Sequence, residues 1–218
     1  MKSVTACIFD LDGVIVETSH YHFLAWQRLA REIGIDFSEK ENEQLKGVSR
    51  KRSLERILAI GNKSLDDQTF HELMEKKNGW YLEYLEDLKP GDALPMVVPF
   101  LDSLREDGIK CALASSSKNA PAIIAKLGLN DYFDTLKDGN SVKIAKPNPD
   151  IFLQAAEAID ESPANCVVFE DALAGIEAAR NAGMRCVGVG SPDVLHEADH
   201  IIGSFEELNL LKFKQLFD

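Results

Sequence analysis

Short apolar runs punctuate this chain, and the spacing between them outlines a fold. Val4–Phe9 is apolar and stops at two aspartates and Gly13, the pattern of a buried parallel strand that delivers a loop. Comparable runs recur at Ile109–Ala114, Cys166–Phe169 and Cys186–Val189, with a weaker one at His200–Ile202. Between them, apolar residues at helical spacing predict helices over Met96–Glu106, Ala120–Leu127, Asp150–Ile159 and Ala174–Ala182. Gly108, Gly128 and Gly183 stand just past three of these, where a left-handed C-terminal cap is wanted. Strands alternating with helices in this rhythm predict an α/β fold built on a doubly wound parallel sheet.

One interval breaks the rhythm. Between about Val16 and Leu94 there is no convincing strand, although a crossover between parallel strands needs only about a dozen residues. The segment His20–Gly34 places Phe23, Trp26, Ala30 and Ile33 on one helical face. Glu39–Gly47, Lys51–Gly61 and Thr69–Leu88 give further helical patterns. The expected organisation is an α/β catalytic core over residues 1–15 and 94–218, with an α-helical cap inserted over 16–93. The two would join near Val14–Val16 and Ala93–Pro95. An insertion after the first strand sits above the carboxyl ends of the strands, where open α/β sheets bind ligands. A helical ornament elsewhere on the surface is the alternative.

Composition narrows the function. A formal net charge of −12 argues against a nucleic-acid or anionic-membrane surface, because phosphate backbones are bound by excess Lys and Arg. It leaves room for small phosphorylated molecules, which need only a few local cations. The four cysteines show no metal-ligand spacing, and each lies in or beside an apolar run, so buried thiols are expected. Asp10 and Asp12 interrupt the first apolar run, unlike a secretion signal, and no run of about 18 apolar residues exists to span a membrane. A cytoplasmic protein in a reducing compartment is expected.

The strand ends carry the chemistry. Asp10 and Asp12 follow the first strand, and two carboxylates this close repel unless a cation or a shared proton intervenes. A hard cation with oxygen ligands, above all Mg²⁺, answers that repulsion; a turn with aspartates at favoured positions is the plain alternative. Glu170 and Asp171 follow a second strand, where helix capping is the plain alternative. Should the two strands be neighbours, four acidic side chains converge. Ser115, Ser116, Ser117, Lys118 and Asn119 follow a third strand just before a helix, a place that favours phosphate and equally suits a serine-rich cap. Lys146 precedes Pro147 ahead of another helix, and a lysine among carboxylates can hold phosphate; an ordinary surface lysine is the other reading. The chain has no G-x-x-x-x-G-K-[ST], and GVGSPD lacks the third glycine of a dinucleotide loop.

Taken together, FDLDGV, the Ser/Lys strand end, AKPNPDIF and FEDALAGIEAARNAGM resemble the four motifs of the haloacid dehalogenase-like superfamily, in order and across the whole core. HYHFLAWQRLAREIGI, NEQLKGVSRKRSL and ASSSKNAP are similar to its β-phosphoglucomutase family. The resemblance implies a Rossmann-like core with a helical cap, and interconversion of β-D-glucose 1-phosphate and D-glucose 6-phosphate through an aspartyl phosphate and β-glucose 1,6-bisphosphate. It implies that Asp10 is the nucleophile and Asp12 the general acid and base. Mg²⁺ would be held by Asp10, the backbone carbonyl of Asp12, Glu170 and Asp171. Ser115, Ser116 and Lys146 would bind the transferring phosphoryl group, with Lys118 in the same loop. Arg50, with Ser117 and Asn119, would clamp the distal phosphate, and Thr18, His22, Lys46, Gly47 and Lys77 would link cap position to substrate. The protein would act as a monomer on small sugar phosphates. Ser116 stands where this family suggests alanine. A sugar-phosphate phosphatase on the same scaffold is the nearest rival, and a phospho-accepting signalling module a remoter one.

Overall fold

In the computed structural model, which describes residues 4–217, six parallel strands form one sheet in the order β3-β2-β1-β4-β5-β6. The strands are β1 (Ala6–Phe9), β2 (Lys110–Ala114), β3 (Thr135–Lys137), β4 (Cys166–Glu170), β5 (Arg185–Val189) and β6 (His200–Ile202). This is the doubly wound order expected from the strand–helix rhythm. Met1–Ser3 and Asp218, which the expected core includes, lie outside the described residues.

The sheet is covered on both faces, and strand residues alternate between them. Cys7, Phe9, Cys111, Leu113, Val167 and Phe169 pack on one side, under α5 (Val97–Glu106), α6 (Ala120–Leu127) and α10 (Leu210–Phe217). Ala6, Ile8, Ala112, Ala114, Cys166 and Val168 pack on the other, under α7 (Asp150–Ala158), α8 (Leu173–Asn181) and the short α9 (Pro192–Leu195). Burial on both faces explains why the strands read as continuous apolar runs. Register ties them together: Phe9 lies level with Leu113 and with Phe169, whose ring stacks on it at 4.8 Å. All four cysteines are buried free thiols.

The chain between β1 and α5 is helical: α1 (Ser19–Glu32), α2 (Glu39–Asn42), α3 (Arg50–Ile60) and α4 (Asp67–Tyr84). Local capping fixes the starts of three of them. Ser38 and Glu41 form a reciprocal capping box, Ser49 accepts from the Arg52 amide, and Asp66 accepts from the Thr69 amide. The sequence reading of one helix over Glu39–Gly47 is replaced by α2 and a following 3₁₀ turn. The segments entering and leaving the insertion touch, since the Leu94 amide donates to the Ile15 carbonyl at 2.8 Å. Among the described residues no helix is long and apolar enough to cross a membrane.

Candidate active site at the carboxyl ends of the strands

The order of the strands reverses at β1, and its carboxyl end delivers Asp10, only 4% exposed. The Asp10 amide still bonds to the Phe169 carbonyl at 3.0 Å, so the aspartate is the last residue held in register with β4. Gly13 turns the loop that follows at φ +79°, and a Cβ there would overlap the Asp171 carboxylate. The chain therefore needs glycine twice over, for the left-handed backbone and for the close approach.

Lys146 is the buried hub. Its Nζ lies 2.6 Å from Asp10 Oδ1 and 2.5 Å from Glu170 Oε1, and also donates to the Ala114 carbonyl at 3.1 Å. Burial opposes its charge, yet the Asp10 and Glu170 carboxylates override that and hold Lys146 above the ordinary lysine value. Glu170 accepts a further bond from the Ala172 amide at 3.1 Å, and a Cβ at Gly175 would overlap its carboxylate. Burial pushes Asp171 well up, and the Glu170 and Asp10 carboxylates push it further. Asp10, Glu170 and Asp171 each offer an oxygen within 4.8 Å of the others. Three carboxylates against one ammonium leave negative charge uncompensated, and an all-oxygen donor set suits a hard cation. The residues present fit a metal ion.

At the end of β2, Ser115 Oγ accepts from the Ser117 amide and Ser117 Oγ accepts from the Asn119 amide, shaping the turn into α6. Ser116 Oγ instead reaches the insertion, donating to the Gly47 carbonyl at 2.8 Å. The insertion closes on Asp12 as well. Thr18 donates from its hydroxyl to Asp12 Oδ1, and His22 Nε2 lies 3.7 Å from the same oxygen. Burial and then Asp10 raise the Asp12 carboxyl to about 6, against the pull of Thr18 and of the lysines 77 and 146.

Behind His22 stands Lys77, 1% exposed, with its Nζ 2.7 Å from His22 Nδ1 and over the rings of Trp26 and Tyr81. Burial lowers the lysine well below its ordinary value, and nearby Arg50 lowers it further. The Tyr81 ring stacks on His22 at 3.9 Å, and its buried hydroxyl has no hydrogen-bond partner among the described residues.

A cavity of about 470 Å³ opens between the strand ends and the helical insertion, within the range of small-molecule sites. Of the residues singled out in the sequence, all but Thr18, Lys146 and Glu170 line it; Thr18 bonds to Asp12 and Lys146 to Asp10, and Glu170 in turn holds Lys146. Lys46 lines it too while paired to Glu43 at 3.1 Å. Arg50 stands on the far wall, bonded to Glu75 at 3.2 Å and to Asn78 at 2.7 Å. Asn78 and Tyr81 were missed in the sequence. Tyr81 lies four residues beyond Lys77 on one helical face, a usable signal, whereas Asn78 offers none.

The model of the haloacid dehalogenase-like hydrolases matches residues 4–183, which includes β1, the helical insertion, β2 and β4. The chain belongs to the haloacid dehalogenase-like hydrolases. Among members of this family, it is 45% identical over 207 residues to a β-phosphoglucomutase of Bacillus subtilis (strain 168), covering 94% of this chain and 92% of that one. It is 34% identical to a phosphorylated carbohydrates phosphatase of Thermotoga maritima, covering 84% of each. The crystal structure of a β-phosphoglucomutase from Clostridium difficile superposes with a TM-score of 0.94 at 40% identity, covering 98% of this chain and 96% of that one.

Proposed function

We propose that this member of the haloacid dehalogenase-like hydrolases interconverts β-D-glucose 1-phosphate and D-glucose 6-phosphate. One observation carries the choice of a mutase: the cavity runs from Asp10 to Arg50, so a second phosphate distant from the nucleophile has a guanidinium to meet it. The similarity to two β-phosphoglucomutases supports it. A sugar-phosphate phosphatase is the second reading, favoured by the Thermotoga maritima relative.

In the proposed cycle the phosphoryl group rides on an Asp10 oxygen. Asp12 takes the proton from the 6-hydroxyl of β-glucose 1-phosphate as that oxygen attacks phosphorus and the Asp10–phosphorus bond breaks. The bisphosphate turns around, an Asp10 oxygen attacks the other phosphorus, and Asp12 returns its proton to the departing O1. A carboxyl raised to about 6 can serve both steps near neutral pH. Lys146, already on Asp10, neutralises the carboxylate and sits where transferring oxygens gather; Ser115, Ser116, Ser117 and Lys118 line the cavity at the neighbouring strand end. Mg²⁺ would be held by Asp10, Glu170, Asp171 and the Asp12 carbonyl, and supplies charge neutralisation between carboxylate and phosphate.

Thr18 and His22 hold Asp12 from the insertion, so cap placement and the acid–base group move together. Lys46 and Gly47 form the neighbouring rim. We assign residues 16–93 as a cap that excludes water, the competing acceptor for an aspartyl phosphate. A cytoplasmic monomer completes the reading, and the four free thiols fit a reducing compartment.

The test is incubation with Mg²⁺, β-glucose 1-phosphate and a trace of bisphosphate, separating glucose 6-phosphate from inorganic phosphate. Glucose 6-phosphate should dominate, Asp10→Asn should abolish turnover, and Arg50→Ala should shift the ratio toward inorganic phosphate. Predominant release of inorganic phosphate by the wild type would install the phosphatase reading instead.

A further inference from the structure

The far wall of the cavity is organised around a side chain the sequence did not mark. Asn78 lies on α4, one residue beyond Lys77. Its Oδ1 accepts two hydrogen bonds, from Arg50 Nη2 at 2.7 Å and from Asn119 Nδ2 at 2.9 Å. Arg50 opens α3 in the helical insertion and Asn119 caps α6 beside the sheet, so one amide oxygen joins the two sides of the cavity. We propose that Asn78 is a positioning residue for the second phosphate, aiming the donors of Arg50 and Asn119 at it. This inference rests on the reading that the substrate passes through a sugar bisphosphate.

The reason lies in what each group can donate and accept. An arginine has only donors, so Asn78 must present its oxygen to Arg50. That same oxygen then selects the orientation of Asn119, whose carboxamide could otherwise turn either way. With its NH₂ toward Asn78, Asn119 spends one N–H there and keeps the other for an anion. Reversed, it would set oxygen against oxygen and offer the anion an acceptor. Arg50 is treated alike: Nη1 meets Glu75 and Nη2 meets Asn78, which fixes the plane of the guanidinium and leaves further N–H groups of its five.

The neutrality of Asn78 matters as much as its oxygen. Glu75, the carboxylate paired with Arg50, is 75% exposed, so water screens its charge and Arg50 keeps a field for phosphate. A carboxylate at position 78 would satisfy the same geometry while cancelling that field and repelling the incoming anion.

Two variants separate these effects, measured on the Mg²⁺-loaded enzyme with β-glucose 1,6-bisphosphate and with acetyl phosphate, a donor lacking a distal phosphate. Asn78→Ala should raise the KM for bisphosphate by roughly tenfold more than it slows hydrolysis of acetyl phosphate, the effect of one charged hydrogen bond. Asn78→Asp, isosteric and still an acceptor, should recover the thermal stability of the wild type while its KM for bisphosphate stays raised. A wild-type KM in Asn78→Ala, or full recovery of KM in Asn78→Asp, overturns the proposal; the aspartate variant decides should the alanine variant fail to fold. Failure of the mutase reading registers separately, as a wild type that makes no glucose 6-phosphate. The role of Asn78 is then read from hydrolysis, where Asn78→Ala must erode the preference for hexose bisphosphate over hexose monophosphate or the inference falls.

Discussion

At the scale of single residues, the pair His22–Lys77 shows how burial sets protonation. A charged Lys77 carries only donors, and with its ammonium at 2.7 Å His22 Nδ1 is an acceptor. The imidazole proton then sits on Nε2, facing Asp12 Oδ1 at 3.7 Å. Burial lowers His22 well below its ordinary 6.5, and Lys77 and Arg50 lower it further. The sign of the stability effect follows. Below 6.5 the unfolded chain binds a proton at this ring that the folded chain refuses, so this residue's contribution to stability falls as pH falls, by up to about 1.4 kcal/mol per pH unit. Nitrogen-resolved NMR of the resting enzyme should find the Nε2–H tautomer, with no titration of His22 between pH 8 and 6. An ordinary midpoint near 6.5 would mean that Lys77 does not press on the ring as the geometry says.

At the scale of elements, β1 and β4 are adjacent and in register, Phe9 level with Phe169, so Asp10 and the Glu170–Asp171 pair leave the sheet side by side. A cation bound there links the two strand ends and stabilises the folded state by mass action, about 2.7 kcal/mol at a hundredfold excess over Kd. Titrating Mg²⁺ into chelator-treated protein should therefore raise the Tm, and Asp171→Ala should remove most of that rise. A Tm indifferent to Mg²⁺ in the wild type would contradict the acidic-cluster argument. Much of this was legible in the sequence because a parallel strand buried on both faces is apolar throughout and ends where chemistry begins. That logic found β1, β2, β4, β5 and β6, and it placed Asp10, Ser115 and Glu170 at the carboxyl ends of strands. It missed β3, since Thr135–Lys137 is three half-buried residues at the sheet edge, too short and too polar to signal. It missed α10 for a different reason: LLKFKQLF buries Phe213 and Phe217 against the sheet, but eight residues hold few helical repeats. Contacts between segments, such as Lys77 with His22 or Asn78 with Asn119, depend on the angle at which helices dock. No spacing along the chain encodes that angle.

At the scale of the whole molecule, the enzyme proposed here must favour a sugar hydroxyl over water, so what holds the cap against the core decides the product. The segments that enter and leave residues 16–93 run side by side, with the Leu94 amide donating to the Ile15 carbonyl at 2.8 Å. Across the cavity, the Ser116 hydroxyl donates to the Gly47 carbonyl at 2.8 Å, a contact between residues 69 apart in sequence that an alanine cannot make. Gly47 is itself pressed to the core, since a Cβ there would stand 3.1 Å from the Ala172 Cβ. Ser116→Ala leaves the backbone amide of the turn in place and removes only this latch. A net hydrogen bond of about 1 kcal/mol corresponds to roughly a fivefold shift toward the open cap. The variant should therefore release more inorganic phosphate per glucose 6-phosphate formed, by a factor of that order, because the phosphoenzyme spends more time open to water. Its Tm should change by only a few degrees, since the lost bond lies at a partly exposed rim and leaves the core packing intact. The decisive measurement is the product ratio at saturating β-glucose 1-phosphate, alongside single-turnover decay of the phosphoenzyme without sugar. A faster decay together with a lowered product ratio assigns the serine hydroxyl to cap closure. An unchanged decay with a lowered ratio places its effect on sugar binding instead, and an unchanged ratio leaves the hydroxyl without influence on the choice between sugar and water.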